Sequence, residues 1–173
     1  TFIRKVDKNR LNNIRAKFED ATKKYPNETL YLSRGMYPNV MSIHTNKVKS
    51  DGFYMGEEIF TTSLQNHIDT MSDDMIVKKL VHSFKTLRLS DKAQELNNSI
   101  KKTKANYKSN SALAGKLREI GRDNFAEKYE LFAKFNREKI ENLNNQLSTV
   151  QEQFYKQKNK SIKQFPEIGQ IEI

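Results

Sequence analysis

Residues 101 to 121, KKTKANYKSNSALAGKLREIG, place Lys101, Lys102, Lys104, Lys108, Lys116 and Arg118 ahead of the first carboxylate of the stretch, Glu119. Three chemistries compete for this arrangement. A nucleotide cradle needs several glycines, so that backbone amides can approach the anion, and then a Lys followed by Ser or Thr. Gly115-Lys116 is followed by Leu117, lacks a glycine five residues earlier and lies inside a helical repeat, so the cradle is rejected. A helix-turn-helix would turn at Gly121 and read a groove with the residues from 123 onward. That reader would present Asp123, Glu127, Glu130 and Lys128 to phosphates, and its two or three carboxylates oppose docking in the negative field of the groove. The bend of a helical hairpin is the better reading of Gly121. What survives is phosphate binding by an unopposed row of cations.

Groups for catalysis are sparse. His44, His67 and His82 fall on different elements and form no metal-spaced pair. Glu57 and Glu58 point to opposite faces if they lie on a strand. Asp69, Asp73 and Asp74 could hold a cation, but the last two sit where a helix start calls for an acceptor and a negative charge. The absence of cysteine excludes disulfides, thiolate metal sites and a thiol nucleophile, and suits a reducing, cytoplasmic setting. The expectation is no catalytic residue, no metal, no cofactor and no enzyme. Phe125, Tyr129, Phe132 and Phe135 could stack bases, yet their helical spacing assigns them to the core of a hairpin. Tyr31, Arg34, Tyr37, Lys47 and Lys49 interleave aromatic and basic groups on turns and strands, which also suits an ordinary small sheet.

Charge is the most informative feature. The net charge of +10 favours a polyanionic partner, either nucleic acid or an acidic protein face. It is unevenly spread, because residues 51–77 carry −6 and the rest of the chain +16. Lys101, Lys104 and Lys108 share one helix face and, with Lys116, Arg118 and Arg34, are the candidate phosphate contacts. Lys156, Lys160 and Lys163 repeat the spacing at the far end of the last helix, where folding back brings them beside Lys85, Arg88 and Lys92. A Lys-rich outer face of a coiled coil explains both rows equally well. Glu57, Glu58, Asp69, Asp73 and Asp74, repelled by nucleic acid, are expected to meet a basic protein surface.

The elements that must position these groups follow from hydrophobic period. Leu11, Ile14, Phe18 and Ala21 predict a helix over 7–24, capped by Asp7 and stopped by Pro26. TLYL, VMSI, FYM and EEIF, separated by turn signals, predict three or four short strands up to Phe60, with Asp51-Gly52 as the best hairpin turn. Helical spacing returns over 62–71 and over 74–88, and a further helix is predicted from Ser90, with a polar break at KSNS, 108–111, and an end at Gly121. Asp123 is the next cap candidate, and one long helix follows to about residue 158. The fold class is therefore α+β, mainly α with a small antiparallel sheet, and a long coiled-coil-like hairpin projecting from a compact N-terminal part. The domains are a helix, sheet and helix part at 1–89, the hairpin at 90–165, and a tail at 166–173 that could add an edge strand.

No apolar run reaches the roughly 20 residues that span a bilayer, and TFIRKVDKNR lacks the apolar core of a secretory signal, so no membrane partner is expected. The first functional expectation is a non-enzymatic accessory or regulatory factor that binds nucleic acid without strong sequence specificity, on a polymerase, transcription or replication machine. The alternative is a coiled-coil protein-interaction module, such as an adaptor, inhibitor or assembly factor, that docks or dimerises through leftover apolar heptad positions.

Overall fold

The structure, a computed structural model, describes residues 8–21, 23, 30–34, 40–45, 49–50, 53–54, 58–63 and 71–173, with the strand segments and Lys8, Leu11, Arg15 and Glu19 described by backbone alone. Helix α1 covers Lys8–Ala21, α2 covers Asp73–Glu119 and α3 covers Asp123–Ile162. A 3-10 turn at Pro166–Gln170 follows. The described part is mostly helical, and α2 and α3 pack as a hairpin.

The length of α2, 47 residues, has a simple cause. It contains no proline and one glycine, Gly115, so nothing in it removes an amide or forces the backbone out of the helical region. The sequence reading begins a new helix at Ser90 and interrupts it at KSNS; α2 runs unbroken through both. Ser and Asn cost only a few tenths of a kcal/mol each in a helix interior, less than the packing of a continuous seam returns. The Ser90 hydroxyl does not cap a helix and instead donates to the carbonyl of Glu172 at 2.8 Å. The cap of α2 is Ser72, whose Oγ accepts from the amide of Met75 at 3.3 Å. Asp73 and Asp74 supply the negative charge of the first turn rather than the cap.

Gly121 closes α2. Its φ of 79° lies in the left-handed region that glycine adopts without a side-chain clash. The amide of Arg122 donates to Leu117 O at 2.8 Å and that of Gly121 to Arg118 O at 3.0 Å, the paired bonds of a Schellman termination. The amide of Ala126 then donates to Arg122 O at 3.1 Å, so Asp123 is the first residue inside α3 and not its cap.

The chain divides into two units: the chain up to Leu87 with Lys160–Gln170, and Arg88–Asn159 with Ile171–Ile173. In the first, Ile14 and Phe18 of α1, Ile76, Leu80 and Phe84 of α2, and Phe165 and Ile168 of the C-terminal segment form the buried core. The expected edge strand at 166–173 is replaced by the 3-10 turn. Ile168 is 1% exposed and its amide donates to Phe165 O at 3.1 Å, so the local bond and the apolar core both claim what a strand would offer to a sheet edge.

Backbone strands run at Leu30–Arg34 (β1), Val40–Thr45 (β2), Lys49–Ser50 (β3), Phe53–Tyr54 (β4) and Glu58–Ser63 (β5). Antiparallel pairing sets β2 between β1 and β5, with a register shift at Ile43 and His44, while β3 pairs with β4 through Ser50 and Phe53. Strand covers Thr62 and Ser63, where the sequence reading begins a helix over 62–71. The rest of that segment up to residue 70, the Asp7 cap and the turn at Asp51-Gly52 lie outside the described residues.

The second unit is the coiled-coil part of the hairpin. Along α2 the seam falls at Ala93, Leu96, Ile100, Thr103, Tyr107, Asn110, Ala114 and Leu117, in alternating steps of three and four. Along α3 it falls at Ala126, Tyr129, Ala133, Asn136, Ile140, Leu143, Leu147, Val150 and Phe154 in the same alternation. This phase corrects the expected core. Phe125, Phe132 and Phe135 are 56%, 39% and 54% exposed, and Leu113 and Ile120 of α2 are 39% and 68% exposed. Each of Phe125, Phe132 and Leu113 lies one residue before a buried alanine, about 100° around the helix from the seam. Near the turn the two helices meet over Ala114, Ala126 and Ala133.

Filling that alanine seam is expected to be harmful. Ala133→Leu should lower the unfolding free energy by about 1–3 kcal/mol through overpacking, whereas Phe132→Ser should cost less, about 0.5–1.5 kcal/mol, the worth of its edge-to-face pair with Tyr129. Urea unfolding of the two variants followed by circular dichroism measures the difference, and the opposite order would return Phe132 to the core.

Candidate functional site

The two flanks of the hairpin near its turn are chemically different. On one, the guanidinium of Arg118 makes two hydrogen bonds to the carboxylate of Glu130, Nε to Oε1 at 2.5 Å and Nη2 to Oε2 at 2.9 Å. Asp123 adds a longer contact to Arg118 at 3.7 Å. The hydrogen bonds with Arg118 hold the Glu130 carboxyl below its ordinary range, and those with Glu130 keep Arg118 charged at all accessible pH. One turn farther on, Arg137 donates to the Tyr107 hydroxyl at 3.0 Å and lies over its ring. This flank is closed by polar links. Arg118, one of the expected phosphate contacts, has one edge of its fork engaged by the Glu130 carboxylate.

On the opposite flank the same heptad positions carry Ile120 and Phe125, then Leu113 and Phe132, and all four are exposed. In antiparallel coiled coils such flanking positions face one another across the seam, so these side chains form an apolar strip beside it. Phe135 extends the strip one turn along α3. Lys128 sets its ammonium over the Phe132 ring at 5.9 Å. Lys116 lies three residues from Leu113 and four from Ile120, so it belongs to this flank and not to the row of Lys101, Lys104 and Lys108. A groove of ≈ 390 Å³ lined by Asn106, Ser109, Asn110, Phe132, Phe135 and Asn136 continues the strip.

The sequence reading missed this surface, although a signal for it exists. The steps of three and four that place Leu143, Leu147, Val150 and Phe154 on the seam, continued toward the turn, reach Ile140, Asn136, Ala133, Tyr129 and Ala126. They pass over every phenylalanine of the group.

Lys101, Lys104 and Lys108 are exposed and form no ion pair among the described residues, on the side of α2 that holds Arg118 and Tyr107. Gly115 sits in the interior of α2, where the helical repeat places it. Lys156 is exposed in the second unit, while Lys160 and Lys163 are exposed in the first. Arg34 and Glu58 are described by backbone alone, and Glu57 and Asp69 lie outside the described residues.

Asp73 and Asp74 meet basic groups within the chain. Arg10 donates to Asp73 at 2.5 Å, Asn13 at 3.0 Å, and Lys17 reaches Asp74 at 2.6 Å. Helix α1 thus supplies a basic face that the sequence reading sought on a partner. Burial raises the Asp73 carboxyl, but the hydrogen bonds from Arg10 and Asn13 outweigh it and leave the group below its ordinary 3.8.

His82 shares its Nδ1 with the Ser161 hydroxyl at 2.8 Å and tilts against Phe165. Burial, then the cations Lys85, Lys78 and Lys160, push its pKa below the ordinary 6.5. Both groups bind fewer protons folded than unfolded, so stability rises with pH across each window. The His82 contribution is complete above about 6.5 and is lost as pH falls through the lower folded value; the Asp73 contribution is lost only below 3.8. Urea midpoints are expected to fall between pH 7.5 and 5, and His82→Phe should flatten that slope while leaving the acid limb unchanged.

Among the described residues no group of three or more His, Asp or Glu side chains could hold a metal ion. No helix among the described residues is long and apolar enough to cross a membrane. Compared with known protein families, curated proteins and solved structures, the chain matches none of them.

Proposed function

We propose that the chain is a non-enzymatic, cytoplasmic protein-interaction module whose helical hairpin docks onto another protein, as an adaptor, inhibitor or assembly factor. The observation that carries this reading is the exposed apolar flank beside the hairpin turn, with Ile120, Phe125, Leu113 and Phe132 held at fixed spacing on two packed helices. A contiguous exposed patch of large apolar side chains marks an interaction surface more often than a lone exposed residue does. Paired helices present such side chains with little loss of conformational freedom on binding. The reading takes the whole as an α+β protein, with the small antiparallel sheet inside residues 1–89 and the hairpin in 90–165.

A photo-crosslinking side chain placed at Phe132 in the full chain, in its own cell, tests this. The expected adduct is sensitive to protease and insensitive to nuclease. An adduct that only nuclease removes would overturn the reading.

One observation favours a second reading. Lys101, Lys104 and Lys108 are exposed and unpaired among the described residues, and with Lys134 they could contact the phosphates of a nucleic acid on a polymerase or replication complex. Each phosphate neutralised contributes a slope of about −0.9 to the dependence of log affinity on log salt for duplex DNA. Reversing the three charges should then lower affinity and flatten that slope. Binding that is absent at low salt removes this second reading.

A further inference from the structure

The apolar flank also states what it would accept. Three features converge there. The groove it borders has a polar floor of Asn110 and Asn136 flanked by the exposed Asn106 and Ser109, and the buried Nδ2 of Asn136 meets no acceptor among the described residues. Its wall is Phe132 and Phe135, both exposed. Its rim is positive, with Lys128 over Phe132, Lys116 within a turn of Leu113 and Ile120, and Lys139 four residues past Phe135. Of the carboxylates three or four residues from Leu113, Ile120, Phe125, Phe132 or Phe135, Asp123 is held by Arg118 and Glu138 is the other.

The geometry points to an amphipathic α-helix of a partner protein, apolar along one stripe and edged with carboxylates, as the occupant of the groove walled by Phe132 and Phe135 and of the apolar strip that continues it toward the turn. This rests on the docking reading above and names the partner's chemistry. A furrow between two antiparallel helices takes a third helix through anchors spaced three and four residues apart. Carboxylates along its edges meet Lys116, Lys128 and Lys139, and a polar side chain on the stripe supplies the acceptor that the Asn136 amide lacks, removing the cost of a buried unpaired donor.

Other occupants fit less well. A second copy of the chain would set lysine rims against one another, and like charges across an interface are unfavourable. Acyl chains of a membrane would dehydrate the asparagine floor and offer Asn136 no acceptor. Bases of a single strand stack on aromatic faces, but Leu113 and Ile120, half of the strip, offer none.

The test uses the full chain and two helical peptides of about 20 residues with one leucine stripe in common, edged by Glu in one and by Lys in the other. Fluorescence anisotropy is expected to give at least about tenfold tighter binding of the Glu peptide at physiological salt. Phe132→Ala with Phe135→Ala should weaken it about tenfold, and Lys116→Glu with Lys128→Glu should reverse the preference between peptides. Both pairs are exposed, and unchanged circular dichroism verifies that the variants fold. Equal binding of the two peptides, or preference for the Lys peptide, overturns the acidic helix and leaves the docking face standing. So does a salt-tolerant dimer that the phenylalanine pair abolishes. Binding confined to phosphatidylserine vesicles or to a single-stranded oligonucleotide, or no binding that depends on Phe132, overturns both.

Discussion

Ser109→Pro is expected to lower the unfolding free energy by about 3 kcal/mol or more. Ser109 is exposed and deep inside α2, so the change removes no buried side chain. Its cost is that of the backbone: proline lacks the amide that bonds to the carbonyl four residues back, and its ring collides with that carbonyl at Ala105. The stretch KSNS is the place where local composition argues most strongly for a break, and a break would accept proline with little loss. Asp123→Pro is the matched control. It stands at the first position of α3, where the amide has no helical acceptor and the fixed φ of proline suits the chain. A cost below about 1 kcal/mol is expected there, mostly from the contact with Arg118. Urea unfolding of both variants under one set of conditions compares them, and equal small costs would mean that α2 is not continuous.

Phe154→Ala is expected to cost about 3–5 kcal/mol, the loss typical of a large aromatic removed from a packed interior that cannot collapse around the space. Phe154 is 0% exposed and continues the seam from Val150, where larger side chains replace the alanines found near the turn. Tyr155, its neighbour, is 54% exposed and meets the Phe154 ring edge to face at 5.3 Å. Tyr155→Ala should therefore cost only about 0.5–1.5 kcal/mol, the worth of an aromatic pair. Thermal and urea unfolding of the two variants separate a seam position from a flanking one. A reversal of their order would place the seam one residue later, against the burial of Ala133 and Val150.

The hairpin itself was legible from local signals. Gly121 follows Leu117 at the spacing of a Schellman termination, and its left-handed φ of 79° is a conformation that residue type alone makes cheap. The seam from Leu143 to Phe154 was legible as well, because its members are large, apolar and strictly spaced, whereas Ile140 reads as slightly off that stripe. Interruptions at Ser90 and KSNS were misread for one reason: short polar side chains lower helix propensity by tenths of a kcal/mol, which is ample in a peptide and negligible on a helix held by a partner along its whole seam.

The functional surface was illegible for a different reason. Phenylalanine at 125, 132 and 135 outweighs alanine in any hydrophobicity sum, so a reading by size assigns the aromatic residues to the interior. Burial is decided by phase, and the phase is set by two helices together. Where Ala114, Ala126 and Ala133 meet, the seam has no place for an aromatic ring, and the phenylalanines are left on the flank. Charge behaves in the same way. Arg118 was indistinguishable from Lys116 along the chain, yet Glu130 on the opposite helix takes its guanidinium, while Lys116, beside Leu113, makes no ion pair among the described residues.

Composition and period by themselves determined a helical hairpin, its turn and an excess of positive charge, because each is a property of neighbours within a few residues. The tertiary structure alone decided which apolar side chains the hairpin covers, which cations it spends on its own carboxylates and which it leaves for a partner. Those outcomes depend on the register between helices, and register is a relation between residues far apart in the chain.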